Sequence, residues 1–439
     1  MSDKIKIAYN WIGPRGPIPN TEVPNILNLA SVTEQVSTSS HRFWADNIWP
    51  LIFCNNDAFD LSPANYLNDK DVFIYPFTLA WRVPFFNYFY TNSGLFEYSH
   101  LPGHVLHQVR NGKGYILIDI SAEAWIEPSH LNFMHSYFRA NQVPMHKVIY
   151  LTGCMNAEQL YDNWLSLQGI TDPDQKMKLI SFPISQDSLA IYFNVYKPKV
   201  PEYDTEKVPE KLFLSWNRRF RDHRIAIALS LEYLNLVDRS YVSMGKVDPE
   251  NEYVDVKSTY NSHLTCDYFN VGDPCIDRFI SKLPLVLDGE TDTNKMCQDF
   301  EDVNRPYYQN SLVSIVTETN FNAREVTLTE KSFKPSKEKH PFIIVGAPGT
   351  IQALRDMGFR TFNELWDENY DNIPEPRQRM AAIVNVLKYI GSWNNEQIID
   401  FRRKVKPILD HNYETLKIRY STVIANKVKQ YIRNRYPEQ

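Results

Sequence analysis

The sequence predicts an α/β protein built as two tandem units, each around a largely parallel sheet. Three observations carry that expectation. Apolar strand-like runs alternate with helical periodicity along most of the chain. A charged, proline-punctuated stretch from Tyr196 to Lys211 interrupts the alternation, which then restarts. The length, 439 residues, is long for one domain and comfortable for two.

The elements follow in order. Ile5 to Tyr9 reads as a strand that runs into a Gly- and Pro-rich loop, Asn10 to Asn20, with Arg15 its only charge. A helix is expected near Asn25 to Val36. "DVFIYPF" and "GYILIDISAEAW" read as buried strands, apolar and rich in β-branched or aromatic residues. "PSHLNFMHSYFRANQ" has helical spacing, with Pro128 and Ser129 as its start signal. "KVIYLTG" is a strand, "NAEQLYDNWLSLQG" a helix stopped by Gly169, and "MKLISFP" a further strand. Past the interruption, "LFLSW", "SYVSMG", "SLVSIVTET" and "HPFIIVGAPG" read as strands. "RDHRIAIALSLEYLNL" and "TIQALRDMG" read as helices, and helices fill most of the chain from about Glu375 to Arg433. The expected division is residues 1–200, 201–375 and a helical C-terminal segment, 376–439.

Composition narrows the class. Apolar residues make up 43% of the chain and the net charge is -5, which argues against general disorder and against a whole-chain nucleic-acid binder. Five cysteines (Cys54, Cys154, Cys266, Cys275, Cys297) form no CxxC pair. Neither a disulfide framework nor a zinc site is expected, and a reducing, cytoplasmic setting fits. No apolar leader and no run of eighteen apolar residues is present, so no membrane span is expected.

Two charged stretches draw chemistry. "LFLSWNRRFRDHR" ends a strand in a turn carrying Arg218, Arg219, Arg221 and Arg224 ahead of a helix. Guanidinium forks beside a helix N-terminus suit a phosphate or diphosphate, and a solvated basic loop is the alternative. In "EVTLTEKSFKPSKEKHPFIIVGAPG", Glu330 and Lys331 precede an apolar strand and a Gly-containing turn. A lysine there neutralises phosphate as a point charge, and a glutamate accepts ribose hydroxyls. The pair also reads as an ordinary helix start, where the dipole favours Glu.

Taken in order, "VTETN", "LTEKSF" and "HPFIIVGAPG", preceded by "SWNRRFRDHR", resemble the donor-binding signature of GT-B-fold glycosyltransferases of the α1,3-fucosyltransferase type. The resemblance spans roughly Leu212 to Gly349. The gap between "TETN" and "TEK" is longer here, and "KPSKEKHPFIIVG" more charged, which leaves the nucleotide and sugar open. The resemblance implies two Rossmann-like domains facing a cleft (GT-B), with a helical C-terminal segment. It implies an enzyme that moves a sugar from a nucleotide-diphosphate-sugar to a hydroxyl with inversion, and the arginine-lysine clamp makes a metal-independent reaction the expectation. Glu330 would hold the donor ribose, Lys331 the diphosphate, and Arg224, with Arg218 in the same turn, would be a second diphosphate contact. Glu318 matches the Glu of the "FEN" segment of that family.

The transfer needs a base from the N-terminal half. Asp119 and Glu123, at and beyond the end of the "GYILIDI" strand, are the candidates, and a structural carboxylate is the alternative for either. His104 and His107 rank below them. Asp288, Glu290 and Asp292 alternate as a metal-holding run would, but a polar turn explains them equally, and no metal or other cofactor is expected beyond the nucleotide-sugar co-substrate. The acceptor is a glycan hydroxyl, or a hydroxymethylated base in DNA as in phage DNA-modifying glycosyltransferases. Lys and Arg outnumber Asp and Glu from Asn394 onward, which reads either as DNA phosphate contacts or as a solvated helix face. The aromatic run "FIYPFTLAWRVPFFNYFYTN" reads as core or as a carbohydrate pocket. A non-catalytic nucleotide- or glycan-binding module of the same fold is the alternative to an enzyme.

Overall fold

The structure, a computed structural model, describes residues 5–9, 12–13, 16–17, 59–63, 67–68, 70–78, 103–121, 124–196, 198–200, 202–217, 219–248, 251–256, 273–287 and 305–436. The expected helix at 25–36, most of the Asn10–Asn20 loop, and Glu123, Arg218, Asp288, Glu290 and Asp292 lie outside these residues. The chain forms two compact α/β units: Met1–Asp187 with Arg419–Gln439, and Ser188–Ile418.

The first unit holds β1 (Ile5–Tyr9), a short antiparallel pair β2 (Ile12–Gly13) and β3 (Gly16–Pro17), β4 (Phe59–Pro63) and β5 (Val72–Thr78). These are followed by α1 (Gly103–Asn111), β6 (Lys113–Ile120), α2 (Pro128–Ala140), β7 (Val148–Thr152), α3 (Ala157–Leu167) and β8 (Lys178–Ser181). Six strands pair in the order β4-β1-β5-β6-β7-β8, every neighbour parallel. A parallel sheet covered on both faces needs strands that are apolar throughout, and β6 shows it. Ile116, Ile118 and Ile120 join Leu131, Met134, Phe138 and Trp164 in one core, while Tyr115 and Leu117 join the other. Gly114 is required where the Phe73 ring crosses β6, since a Cβ there would sit 2.3 Å from that ring.

The division between units falls within α4 (Ile184–Tyr196). The second unit continues with β9 (Lys211–Trp216), α5 (Asp222–Tyr233), β10 (Ser240–Ser243), the antiparallel pair β11 (Val247–Asp248) and β12 (Asn251–Asp255), α6 (Asp273–Ser281) and α7 (Arg305–Gln309). Then come β13 (Ser311–Thr317), α8 (Glu330–Lys337), β14 (Phe342–Val345), α9 (Thr350–Asp356), α10 (Pro376–Gly391) and α11 (Asn395–Leu416). Its sheet runs β10-β9-β13-β14, all parallel. The first strand, β9, is flanked by the second and the third, so the winding direction reverses between β9 and β13.

The C-terminal helices do not form one segment. α10 and α11 belong to the second unit, while α12 (Tyr420–Arg433) belongs to the first. Ile424, Ala425, Val428 and Ile432 make a stripe at helical spacing, and they pack with Ile149, Leu151, Ile180 and Phe182. The Asp187 carboxylate accepts the Ser421 N–H at 2.8 Å, and Tyr431 donates to the His146 carbonyl at 2.7 Å. The stretch expected as a linker is likewise tied down within the second unit, where Arg402 of α11 holds the Asp204 carbonyl. Among the described residues no helix is long and apolar enough to cross a membrane.

Candidate functional site

In open parallel sheets, ligands gather at the carboxyl ends of the strands where the winding reverses. In the second unit that point is the end of β9 and β13. Asn217, one residue past β9, accepts a hydrogen bond from Thr317 at 3.0 Å, tying the two strand ends together. Its amide donates to Ser215 at 2.9 Å, and its N–H donates to Ser243 at 3.1 Å. With its hydrogen bonds directed into the sheet, Asn217 forms a fixed floor.

Glu318 follows β13 and is only 1% exposed. Its Oε1 accepts from Thr329 N (3.0 Å) and Ser332 Oγ (2.5 Å). Its Oε2 accepts from Thr319 N (3.0 Å) and Thr329 Oγ (2.8 Å). Four donors satisfy a carboxylate. The candidate donor contact therefore serves as a support that pins the segment entering α8, and its lone pairs are already engaged.

Thr329 is the N-cap of α8, with its side chain accepting from the Lys331 N–H. Glu330 and Lys331 open the helix as a half-buried ion pair at 3.1 Å, and Lys331 Nζ also donates to Thr329 Oγ at 3.1 Å. Burial works against the charged Glu330 carboxylate, but the Lys331 and Lys334 ammonium groups hold it below its usual range. The ordinary helix start and the charged site thus coincide in the same residues.

The arginine turn lies on the same edge. Arg221 is the N-cap of α5, and its own side chain makes no capping bond. Arg224 is 5% exposed; one guanidinium nitrogen donates to the Arg219 carbonyl at 3.2 Å, and its Nε has no hydrogen-bond partner among the described residues. Burial, then the nearby Arg221, pushes the guanidinium down to about 10, while Glu318 and Glu330 oppose the shift. Arg224 is therefore close enough to feel both carboxylates. His223 donates to the Glu318 carbonyl at 2.8 Å and stacks on Phe321, with ring centres 5.5 Å apart. Burial, with Arg224 adding, pushes His223 down to about 3, so it is neutral. From α10, Arg379 lies 4.3 Å over Phe321 and donates to the carbonyls of Ile373 (2.6 Å) and Pro374 (3.1 Å).

The structure thus gathers Arg224, Glu318, Glu330 and Lys331 on one edge. The Gly-containing turn after β14 is closed from within. Gly349 adopts φ +85°, and the Asp371 carboxylate accepts the Ile351 and Gln352 N–H groups at 3.0 Å each. In the first unit, Asp119 is fully buried at the end of β6. Its Oδ1 accepts the Ser121 N–H at 2.9 Å and its Oδ2 has no hydrogen-bond partner among the described residues. Burial outweighs the Ser121 bonds and pushes the carboxyl up to about 6. His104 and His107 are exposed on α1. Among the described residues, no group of three or more His, Cys, Asp or Glu is arranged to hold a metal ion.

Several residues of the site escaped the sequence reading. Thr329 was legible as a helix cap, a threonine immediately ahead of the Glu330-Lys331 helix start. Asn217, His223, Ser332 and Arg379 carry no local signal for the site, because the contact that places each there lies outside its own stretch: Thr317, the Glu318 carbonyl, the Glu318 carboxylate and the Phe321 ring.

These features define a two-unit α/β protein with parallel sheets and a cation-rich reversal point in its second sheet. No protein-family model matches the chain, and no curated protein matches it. Among solved structures it is similar to an α,α-trehalose-phosphate synthase (UDP-forming) from Burkholderia vietnamiensis, at 9% identity and TM-score 0.42, over 100% of this chain and 99% of that one. It is also similar to an α,α-trehalose 6-phosphate synthase from Burkholderia multivorans, at 11% identity and TM-score 0.41, over 90% of this chain and 80% of that one. The motif order shared with the α1,3-fucosyltransferase type stays a resemblance, with no family match behind it.

Proposed function

We propose that the chain is a GT-B-type glycosyltransferase that moves a sugar from a nucleotide-diphosphate-sugar to a hydroxyl acceptor. The observation that carries the reading is the gathering of Arg224, Glu330 and Lys331 at the point where the second sheet reverses. A nucleoside diphosphate matches this chemistry. Arg224 is a buried cation with an unpartnered Nε, and an anion beside it removes the cost of its burial. Fixed guanidinium and ammonium groups stabilise the diphosphate as it leaves with the bonding electron pair. Glu330, kept ionised by its lysines, accepts from ribose hydroxyls.

The acceptor oxygen forms the new bond to the anomeric carbon, and its proton goes to a base. Asp119 is carried as that base, supported by its unpartnered Oδ2 and its raised pKa of about 6. The acceptor favoured is a glycan hydroxyl. Many cations of the C-terminal stretch are neutralised within the chain: Arg403 pairs with Glu206, Lys404 with Asp400, Lys406 with Asp410, Lys417 with Glu414, and Arg435 with Asp174. That leaves a weak field for duplex DNA.

Thermal shift against a panel of nucleoside diphosphates and nucleotide sugars tests the donor site, on wild type, Lys331→Ala and Arg224→Lys. A ligand at 100 times its dissociation constant raises stability by about 2.7 kcal/mol. One selective nucleotide, lost in both variants, is the expected result, and no response to any nucleotide overturns the proposal. Binding without turnover across sugar donors and glycan acceptors would instead indicate a non-catalytic module. Repeating the turnover assay with a chelator tests whether a divalent ion is needed.

A further inference from the structure

A cavity of about 270 Å³ lies in the second unit, on the amino edge of its sheet. Its walls include residues just ahead of β13 and β14, so it sits at the opposite edge from the diphosphate site and does not depend on that reading. Val200, Tyr203 and Lys207 close one side, and Arg402 of α11 another.

The cations around it differ in how they are matched. Arg305 pairs with Glu338 at 2.8 Å, and Lys339 pairs with Asp410 at 2.8 Å. Arg402, 3% exposed, has no carboxylate partner among the described residues. Its Nε and one Nη donate to the Asp204 carbonyl, its plane lies 4.3 Å over Tyr203, and its other Nη makes no hydrogen bond among the described residues. Among the described residues Lys207 likewise bonds only to neutral acceptors, Asn310 Oδ1 at 2.7 Å and the Gln309 carbonyl at 3.3 Å. His340, between Ser311 and Ser314, is pushed by burial down to about 4 and adds no charge. The rim carboxylates are exposed: Glu202 lies 3.6 Å from Lys406, and Asp204 caps the Glu206 N–H at 2.9 Å.

A buried guanidinium held only by neutral acceptors gains most from an anion. Lys207, half-buried and also held by neutral acceptors, lines the same cavity, and the two cations together suit a dianion. The walls also offer the rings of Tyr203 and Tyr308, against which a short organic body can rest. We propose that this cavity binds a small phosphate monoester, its phosphate on Arg402 and Lys207 and its body against the two tyrosines. The ligand would brace the segment that leads into β9.

Isothermal titration with glycerol 3-phosphate and with inorganic phosphate, at matched ionic strength, tests the site. The proteins are wild type, Lys207→Met, Arg402→Lys and Lys331→Ala, with melting temperatures checked for each. Glycerol 3-phosphate is expected to bind wild type and Lys331→Ala alike. Lys207→Met is expected to weaken it by about tenfold or more, the loss of one charge-assisted hydrogen bond. Arg402→Lys, which keeps the charge but loses the planar fork, also weakens it. Inorganic phosphate is expected to bind less tightly than the ester; equal affinity overturns the monoester assignment in favour of free phosphate. Binding lost in Lys331→Ala, binding unchanged in Lys207→Met, or no binding of either anion overturns the site.

Discussion

Glu318 grips Thr329 twice, through the backbone N–H at 3.0 Å and the hydroxyl at 2.8 Å, across eleven residues of chain. The same hydroxyl accepts from the Lys331 ammonium at 3.1 Å. A buried carboxylate at the end of β13 is thereby connected, through one oxygen, to the cation proposed for the diphosphate. Glu318→Ala leaves two N–H groups and two hydroxyls unmatched in a buried setting. The expected cost is about 3 kcal/mol or more, read by urea denaturation. Thr329→Val is the milder probe: it keeps the shape, frees Lys331, and is expected to lower nucleoside diphosphate affinity more than stability.

Asp119 gives a pH-dependent prediction. Its folded pKa of about 6 lies above the model-peptide value of 3.8, so between those values the folded state binds more protons than the unfolded one. Its contribution to stability is present below about pH 4 and is lost as pH rises through 6. Asp119→Asn removes that loss, so the variant is expected to be more stable than wild type at pH 7, by about 3 kcal/mol at most. Turnover of the same variant is expected to fall at least about a hundredfold. A stable variant with normal turnover would make Asp119 structural.

The buried histidines act in the opposite sense. Burial pushes His130, His135 and His340 down to about 4, and His223 to about 3, from 6.5. The unfolded chain takes up these protons first as pH falls below 6.5. Stability present above that value is therefore lost as pH falls toward the folded values, by about 2 kcal/mol per histidine between pH 7 and 5. Urea midpoints across that range should drop steeply, and His223→Gln, which keeps a donor for the Glu318 carbonyl, should flatten part of the slope.

The last helix is part of the first unit's core. Ile424 is fully buried against the sheet. Ile424→Ala is expected to cost about 2–5 kcal/mol, measured by thermal or urea unfolding. Nucleoside diphosphate affinity in the second unit should stay unchanged. A null effect on stability would contradict the placement of α12.

The local elements are legible in short stretches of chain. The apolar runs at β6, β7, β9 and β13 are strands because a parallel sheet covered on both faces demands unbroken hydrophobicity. Gly169 and Gly358, at φ +68° and +90°, sit just beyond helices where a side chain is strained. The charged stretches at Arg224 and at Glu330-Lys331 were also legible, since guanidinium clusters after strands and Glu-Lys helix starts are local patterns.

Which of these residues meet is set by the folded topology. Nothing in the neighbourhood of Glu318 announces that Thr329 and Ser332 will saturate it, and nothing near Tyr420 to Arg433 shows that this helix returns to the first sheet. The basic C-terminal stretch looked like one charged face, but its cations are divided among carboxylates as distant as Glu206 and Asp174. Strand and helix propensities act over a few residues, whereas hydrogen-bond saturation, ion pairing and core packing depend on residues that only the folded topology brings within reach.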